Sequence, residues 1–299
     1  MGGGSWTTSS FCCYSASRGR SVDSSGTVTT KYATAQDMYE KRSLSPRMDP
    51  KEFEVRECRD SAEHPETLPV ILALDVTGSM GDSAMEVAKK LNGIVTDITQ
   101  KAKDAEFCVM AIGDTYCDRA PVQMSQFESD VRIAEAFDDI WFEAGGGRNP
   151  WESYTAAWYM AAYRTDLDAW KRGGRGILIT LGDEPINPVL DRAELQAFVG
   201  KHNSPTEDRE IDAKDLYEAV SKKYDVYHVY VDHGTHGAKR KNECVATFRQ
   251  VMPDGHVFAC KVDELPKVVS DIVLGSCAHV VEPVEASSVK VDENGMIDW

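Results

Sequence analysis

Three oxygen-bearing side chains alternate along one short segment of the chain: Asp75, Thr77 and Ser79 of the sequence DVTGS. The segment follows the apolar run 69–74 (PVILAL), which is typical of a buried strand, and it precedes a stretch with the spacing of an amphipathic helix. One carboxylate and two hydroxyls on alternate residues of a tight turn can face the same small cation, and Mg²⁺ prefers such hard oxygen ligands. The pattern therefore predicts a magnesium-type site at the carboxyl end of a strand, with Mn²⁺ and Ca²⁺ as the other candidate ions.

Two further segments offer oxygen ligands. The loop 145–153 (GGGRNPWES) contains Asn149, Glu152 and Ser153, and Asp183 follows the apolar run GILITL. In a doubly wound sheet, the turns after the central strands converge on one crevice. These side chains are therefore expected to lie near the DVTGS turn.

Each group also has a simpler interpretation, which the sequence leaves open. Asp75 or Ser79 can cap the following helix by accepting hydrogen bonds from its free backbone amides. Glu152 can be an acid in the first turn of a helix, where the helix dipole stabilises it. Asp114 and Asp118 follow a predicted strand near the same rim, where they are solvated loop acids, support the ion ligands or bind a second cation.

Zinc is a second metal hypothesis, because His228, His233 and His236 precede Cys244 closely in the sequence. Their spacing matches no dense zinc pattern. His228 also alternates within a predicted strand, which favours a packed or hydrogen-bonded core histidine over a zinc ligand.

Two other features accompany the predicted site. The basic run 239–241 (KRK) is interpreted as a solvated helix face rather than a docking patch. The aromatic residues between 151 and 163 are interpreted as core, with Trp151 as the exception because it lies beside the proposed ligands.

Predicted strands and helices alternate from residue 69 to about residue 275. Apolar runs predict strands over 70–76, 106–113, 122–127, 176–181, 226–231 and 256–260. Three- and four-residue spacing predicts helices over 80–98, 130–142, 151–163, 190–199, 213–224, 239–251 and 265–274. This order predicts an α/β fold: a doubly wound, mostly parallel six-stranded sheet with one antiparallel edge strand and helices on both faces.

Composition divides the chain into four parts. Residues 1–47 are rich in Ser, Thr and Gly with few aliphatic side chains, which predicts an extended or disordered arm. Residues 48–68 are charged and predict a lead-in strand and loop. Residues 69–275 form the predicted domain, and 276–299 form an acidic C-terminal tail.

The composition argues against several classes of function. A net charge of -16 makes the chain a poor binder of nucleic acid and of anionic membranes. No apolar run approaches the length of about 18 residues that a transmembrane helix needs, and no export signal is visible, so a cytoplasmic location is expected. The eight cysteines include no CxxC pair and are expected to be thiols.

The sequence DVTGS after a buried strand resembles the metal-ion-dependent adhesion site of von Willebrand factor type A domains, whose pattern is Asp-x-Ser/Thr-x-Ser. The order of strands and helices is similar, as is the Gly-Asp after a core strand. The resemblance implies a Rossmann-like fold. It also implies that Asp75, Thr77, Ser79 and Asp183 hold the ion.

The loop 145–153 departs from the commonest pattern of that family, in which a threonine follows small residues. It is closer to members with a Gly-rich loop and a carboxylate. Glu152 is then the expected ligand from this loop. Asn149, Ser153, Asp114 and Asp118 are expected to contact the ligands rather than the ion.

The resemblance implies metal-dependent protein–protein recognition, in which the ion accepts a carboxylate from a partner. Intracellular members work with ATPases of the AAA+ class or in multiprotein assemblies, so an adaptor or scaffold is expected. Bacterial and phage-type proteins with this domain and a Ser-rich N-terminal arm are also similar. The chain contains no GxxxxGK[ST] loop, so any ATPase would be a separate partner.

Two alternatives belong to other classes of function. A metal-dependent hydrolase, such as a phosphatase of the haloacid-dehalogenase type, also begins with Asp at a strand end. It needs a second Asp two residues later to protonate the leaving group, and Thr77 occupies that position, so no enzyme activity is expected. The other alternative is a structural assembly subunit, whose arm and tail would reach neighbouring subunits.

Overall fold

The structure is a computed structural model that describes residues 4–23, 28, 41–143, 149–200, 210–234 and 238–275. Its strands are β1 (Arg56–Cys58), β2 (Leu68–Asp75), β3 (Ala105–Ile112), β4 (Val122–Met124), β5 (Thr165–Leu167), β6 (Gly176–Gly182), β7 (Val189–Asp191), β8 (Glu210–Asp212), β9 (Tyr224–Asp232) and β10 (Val257–Lys261). Its α-helices are α1 (Thr8–Ser17), α2 (Gly81–Lys89), α3 (Leu91–Lys101), α4 (Arg132–Asp138), α5 (Tyr154–Tyr163), α6 (Asp168–Lys171), α7 (Arg192–Val199), α8 (Ala213–Ser221), α9 (Ala238–Arg249) and α10 (Leu265–Val273). Two short 3-10 helices cover Pro50–Glu52 and Asp254–His256.

A six-stranded sheet with the order β10-β9-β6-β2-β3-β4 forms the centre of the molecule. All neighbouring strands run parallel except β3 and β4, which are antiparallel. The predicted fold class is therefore confirmed, including the single antiparallel edge strand. Because β2 lies between β3 and β6, the turn after β2 has the turns of both neighbours beside it.

Alternating side chains of the central strands build two hydrophobic clusters, one on each face of the sheet. Val70, Leu72 and Leu74 of β2 belong to the cluster that packs against α2, α3, α4 and α10. Ile71 and Ala73 belong to the opposite cluster, which includes side chains of α5, α7, α8 and α9. Each large aliphatic side chain buried in this way contributes about 1.5–3 kcal/mol, so both faces hold β2 and its terminal turn in place.

The structure differs from the predicted elements at the helix after β2. In place of one helix over 80–98, two helices meet at Lys90, whose backbone N–H bonds to the carbonyls of Glu86 and Val87 at 3.1 Å each. Gly93 lies in the first turn of α3, where glycine costs about 1 kcal/mol relative to alanine in helix propensity. The apolar spacing continues across the junction, so periodicity alone does not reveal the break.

The N-terminal segment also differs from the extended arm that its composition predicts. Residues Thr8–Ser17 form α1, and Phe11 on this helix and Trp6 before it are buried in the cluster that contains α3 and α4. The Trp6 indole donates to Thr96 Oγ1 at 3.0 Å, and Arg20 binds Asp138 with two hydrogen bonds of 2.7 and 3.1 Å. Residues 24–27 and 29–40 of the arm, like the predicted tail at 276–299, lie outside the described residues.

No helix in the described ranges is both long and apolar enough to cross a bilayer. Seven cysteines fall within those ranges, and no disulfide joins any two of them. The eighth, Cys277, lies beyond them.

Candidate metal centre

The turn after β2 brings its three oxygen-bearing side chains together. Asp75 is fully buried at the end of the strand, and its Oδ1 accepts hydrogen bonds from the backbone N–H of Thr77 at 2.9 Å and from Thr77 Oγ1 at 2.7 Å. Thr77 Oγ1 and Ser79 Oγ lie 3.1 Å apart. The hydrogen bonds of Asp75 thus fix the conformation of the turn from within.

The neighbouring strand β6 delivers Asp183 to the same place. Asp183 follows Gly182, is fully buried, and accepts a hydrogen bond from Ser79 Oγ at 2.9 Å. Because the Thr77 hydroxyl donates to one aspartate and the Ser79 hydroxyl to the other, both hydroxyl oxygens keep lone pairs that can ligate a cation. The structure therefore brings together four of the five predicted ligands by direct contacts.

Glu152 lies in the loop before α5. Its backbone N–H donates to the carbonyl of Pro185 at 3.0 Å and its carbonyl accepts from the N–H of Asn187 at 3.1 Å, so the loop is fixed to the segment after β6. Its side chain is 5% exposed, and Oε2 has no hydrogen-bond partner among the described residues. Burial and the nearby Asp75 carboxylate raise the pKa of Glu152 to about 10.

A divalent cation would resolve the electrostatics of this group. Burial and the adjacent Asp183 carboxylate raise the pKa of Asp75 to about 7. Neither Asp75 nor Glu152 forms an ion pair with any residue in the described part of the chain, and leaving buried carboxylates without a counter-charge is costly. The donors are all hard oxygens, so the residues present fit Mg²⁺ or a similar ion.

Tyr154 is the first residue of α5, and the site depends on it. Its hydroxyl donates to Asp75 Oδ2 at 2.8 Å, and burial raises the pKa of the phenol well above its usual value, so it stays a donor. The sequence predicts that the aromatic residues of this helix lie in the core. That is where Tyr154 lies, but its hydroxyl end belongs to the site.

The predicted supporting residues form a network behind the Glu152 loop. Asn149 Nδ2 donates to Asp114 Oδ2, and the backbone N–H of Asp114 donates to Asp118 Oδ2, both at 2.8 Å. Ser153 Oγ accepts from the backbone N–H of Thr115 at 2.9 Å. The network connects the turn after β3 to the loop before α5, and burial raises the pKa of Asp118.

The residues of the zinc hypothesis have other contacts. His228 stacks on Phe248 with ring centroids 3.5 Å apart, its Nδ1 lies 3.0 Å from Thr180 Oγ1, and burial lowers its pKa to about 3, as expected of a core histidine. The Cys244 thiol donates to the Asp183 carbonyl at 3.3 Å, and His236 lies outside the described residues. Within the described ranges, no three His, Cys, Asp or Glu side chains are grouped to hold a metal. Asp75, Asp183 and the two hydroxyls therefore form the compact part of the candidate site, and the Glu152 carboxylate is not grouped with the two aspartates.

Two residues contact the candidate site in ways that the sequence does not predict. His233 Nε2 lies 2.8 Å from Asp183 Oδ2. Arg240 pairs with Glu184 and also donates to the Pro150 carbonyl at 3.2 Å. The basic run 239–241 is thus more than a solvated helix face, because Arg240 fastens α9 to the two loops that carry Asp183 and Glu152.

Comparison with known proteins identifies the fold. No protein-family model matches the chain, and no curated protein matches its sequence. The pilus adhesin SpaC from Lactobacillus rhamnosus GG, in its open conformation, is similar with a TM-score of 0.50 and 9% identity over 75% of this chain and 31% of that chain. The chain thus spans about a third of the adhesin's length.

Two other solved structures match at lower TM-scores. The vWF domain of the type V pili tip protein Mfa5 from Porphyromonas gingivalis matches with a TM-score of 0.45 and 12% identity over 72% of this chain and 97% of that chain. Proximal thread matrix protein 1 from the mussel byssus matches with a TM-score of 0.45 and 12% identity over 75% of this chain and 50% of that chain. At these identities the likeness concerns the fold alone. With its strand order and single antiparallel edge strand, the described part of this chain has the doubly wound, mostly parallel α/β fold that the sequence resemblance to von Willebrand factor type A domains implies.

Proposed function

We propose that Asp75, Thr77, Ser79, Asp183 and Glu152 hold a divalent cation, Mg²⁺ or alternatively Mn²⁺ or Ca²⁺, at which the chain binds a protein partner. The observation that carries the proposal is the buried Glu152 Oε2 without a hydrogen-bond partner, in a carboxyl group whose pKa is raised by burial and by the buried Asp75 carboxylate. No hydrogen bond from the described residues reaches this oxygen, whereas a bound cation would give it a partner.

The ligand set supports recognition of an acidic group. Mg²⁺ takes about six oxygen ligands and keeps several waters. With one oxygen from each, the two hydroxyls and three carboxylates of the proposed site fill five of about six positions, so at least one position remains that a carboxylate of a partner can take in place of water. Such a contact is charged and directional, so it discriminates in favour of Asp, Glu or a chain terminus.

The partner class follows from this chemistry rather than from the fold, since one fold supports many functions. We propose an adaptor or scaffold in a multiprotein assembly, with a separate AAA+ ATPase or an assembly subunit as the carboxylate-bearing partner. A cytoplasmic location for this interaction is part of the proposal.

Partner capture from a lysate of the source cells is expected to require the ion. The tagged full chain should retain a partner in Mg²⁺ and release it in EDTA. Asp75→Ala and Ser79→Ala should lose it, because the first removes the carboxylate of the turn and the second removes a hydroxyl. Circular dichroism should show that both variants remain folded. Capture that is indifferent to EDTA would contradict the mechanism.

The same purified chain can be used to test the two alternative functions, a structural assembly subunit and a metal-dependent hydrolase. An oligomer that keeps its size in EDTA on size-exclusion chromatography would indicate a structural subunit. Turnover of a phosphate or peptide substrate that is lost in Asp75→Ala would indicate a hydrolase.

A further inference from the structure

An open groove of about 400 Å³ lies beside the candidate metal centre. One wall is the turn after β3 with Asp114 and Tyr116, and another is the loop before α5 with Asn149, Trp151 and Ser153. The remaining lining comes from the segment 187–194 and from the start of β8. The groove is large enough for one long side chain and part of a peptide backbone.

The groove is lined by negative charge. Asp114, Asp191, Glu194 and Glu210 all border it. Asp191 caps α7 by accepting from the N–H groups of Ala193 and Glu194, and Glu194 Oε2 accepts from Thr115 Oγ1 at 2.9 Å. Within the described part of the chain, no ion pair neutralises Asp114, Glu194 or Glu210. The groove therefore has a negative potential that a cation would relieve.

Two aromatic rings at the groove point to the same class of ligand. Trp151 is 37% exposed and Tyr116 is 63% exposed, whereas most aromatic side chains of the neighbouring α5 are buried. The face of an indole attracts ammonium and guanidinium groups, and Trp is the strongest such partner among the aromatic residues. Carboxylates and an exposed indole together favour a basic side chain with an apolar stem, such as that of Lys or Arg.

The groove adjoins the candidate metal centre through the backbone. Trp151 and Ser153 flank Glu152 in the chain, and Asn187, another lining residue, donates its N–H to the Glu152 carbonyl at 3.1 Å. Consecutive Cα atoms are about 3.8 Å apart, and an extended peptide advances about 3.3–3.6 Å per residue. A partner segment with a carboxylate near Glu152 can therefore place a side chain in the groove from one to three residues away, by this rough spacing.

We infer that the groove binds a basic side chain of the same partner segment whose carboxylate completes the ion site. The inference rests on the proposed function, because the proposed ion site determines where the partner's carboxylate binds. It narrows the partner to a segment that carries an acidic residue and, within a few positions of it, a Lys or Arg.

Three short Gly/Ser peptides test the inference by fluorescence anisotropy with the full chain in Mg²⁺. The first contains Glu and Lys separated by one to three residues, the second replaces Lys by norleucine, and the third replaces Glu by Gln. The Glu–Lys peptide should bind about five-fold more tightly than the Glu–norleucine peptide, since two or three weak charge and cation–π contacts combine to about that ratio. Added salt should reduce the ratio, because the groove is open to solvent.

The matched variants are Glu194→Gln with Glu210→Gln in the groove, and Glu63→Gln with Glu66→Gln as control. The control pair is exposed in the loop before β2, at the amino ends of the parallel strands and thus at the opposite end from the groove. It changes the net charge by the same amount. The groove pair should bring the ratio close to one, whereas the control pair should leave it unchanged. Equal affinities of the Glu–Lys and Glu–norleucine peptides for the wild type, or a ratio that survives in the groove pair, would overturn the inference.

The peptides also distinguish this inference from the proposed function. Binding of the Glu–norleucine peptide that disappears in EDTA supports the ion site, whatever the groove does. In a second outcome, the Gln–Lys peptide binds the wild type but not the groove pair, and the Glu–norleucine peptide shows no EDTA-sensitive binding. That result would support the groove as a site for a basic side chain and would contradict the proposed ion site. No binding of any peptide would contradict both.

Discussion

Replacing Glu152 by glutamine is expected to stabilise the protein in EDTA and to abolish the stabilisation that Mg²⁺ gives to the wild type. Burial and the Asp75 carboxylate raise the pKa of Glu152 from an ordinary value of 4.5 to about 10 in the folded protein. Between these values the folded state holds a proton that the unfolded state has released. The free energy of unfolding of the wild type in EDTA therefore falls as the pH rises from about 5 to about 8.

Glutamine does not titrate, so Glu152→Gln escapes this loss. We expect the variant to exceed the wild type by about 2 kcal/mol in the free energy of unfolding near pH 8 in EDTA, and by much less near pH 5. In saturating Mg²⁺ the order should reverse, because ion binding displaces the proton of Glu152 and adds about 2.7 kcal/mol at a hundred-fold excess over the Kd. Urea denaturation at several pH values, with and without Mg²⁺, measures both effects.

Glu66→Gln is the matched control, since Glu66 is exposed in the loop before β2, away from the site. It should change neither the pH dependence nor the response to Mg²⁺. A Glu152→Gln variant that is less stable than the wild type in EDTA near pH 8 would contradict the proposed role of this carboxylate.

Replacing Gly182 by alanine is expected to destabilise the domain by about 3 kcal/mol and to weaken ion binding at the same time. A Cβ at this position would overlap the Tyr154 hydroxyl and lie 2.8 Å from Tyr154 Cζ and 2.9 Å from Asp75 Cβ. The side chains of Tyr154 and Asp75 are both fully buried, so neither can move into solvent. The tyrosine that donates to Asp75 Oδ2 must shift, and Asp75 loses that hydrogen bond.

Two further variants make the Gly182 prediction specific. Adding Tyr154→Phe removes the atom that the new Cβ overlaps, so the double variant should recover part of the stability without recovering ion affinity. Gly255→Ala is the control, because a Cβ there meets nothing within 4 Å. If Gly182→Ala unfolds at the same urea concentration as Gly255→Ala, the close packing of Gly182 against Tyr154 and Asp75 is wrong.

Much of the fold could be predicted because the central strands are continuous apolar runs buried on both faces. Leu68–Asp75 and Gly176–Gly182 are examples in which composition alone distinguishes a strand from its surroundings. The N-terminal helix Thr8–Ser17 could not be predicted in this way. Its own sequence has little apolar periodicity, and it is held by Trp6, Phe11 and the pairing of Arg20 with Asp138, which are contacts over long sequence distances.

The candidate site divides along the same line. Asp75, Thr77 and Ser79 could be predicted because their spacing within one turn determines their proximity. Asp183 could be added because it directly follows the neighbouring strand β6.

The contacts of Tyr154, His233 and Arg240 could not be predicted, since each depends on which side chain the packed helices present to a loop far away in the sequence. In the sequence, Tyr154 is more simply interpreted as a core aromatic residue and Arg240 as part of a solvated helix face. Only the three-dimensional arrangement shows their contacts with the candidate site.

Isothermal titration calorimetry of Mg²⁺ and Mn²⁺ into the full chain tests the central claim, that the turn after β2 holds a divalent cation. We predict binding of one ion per chain by the wild type and by Asp263→Asn, a control at a side chain that is 92% exposed. Asp75→Asn and Ser79→Ala should give no heat of binding while circular dichroism shows both to be folded. Retained ion binding by folded Asp75→Asn, or no binding by the wild type, would contradict the account.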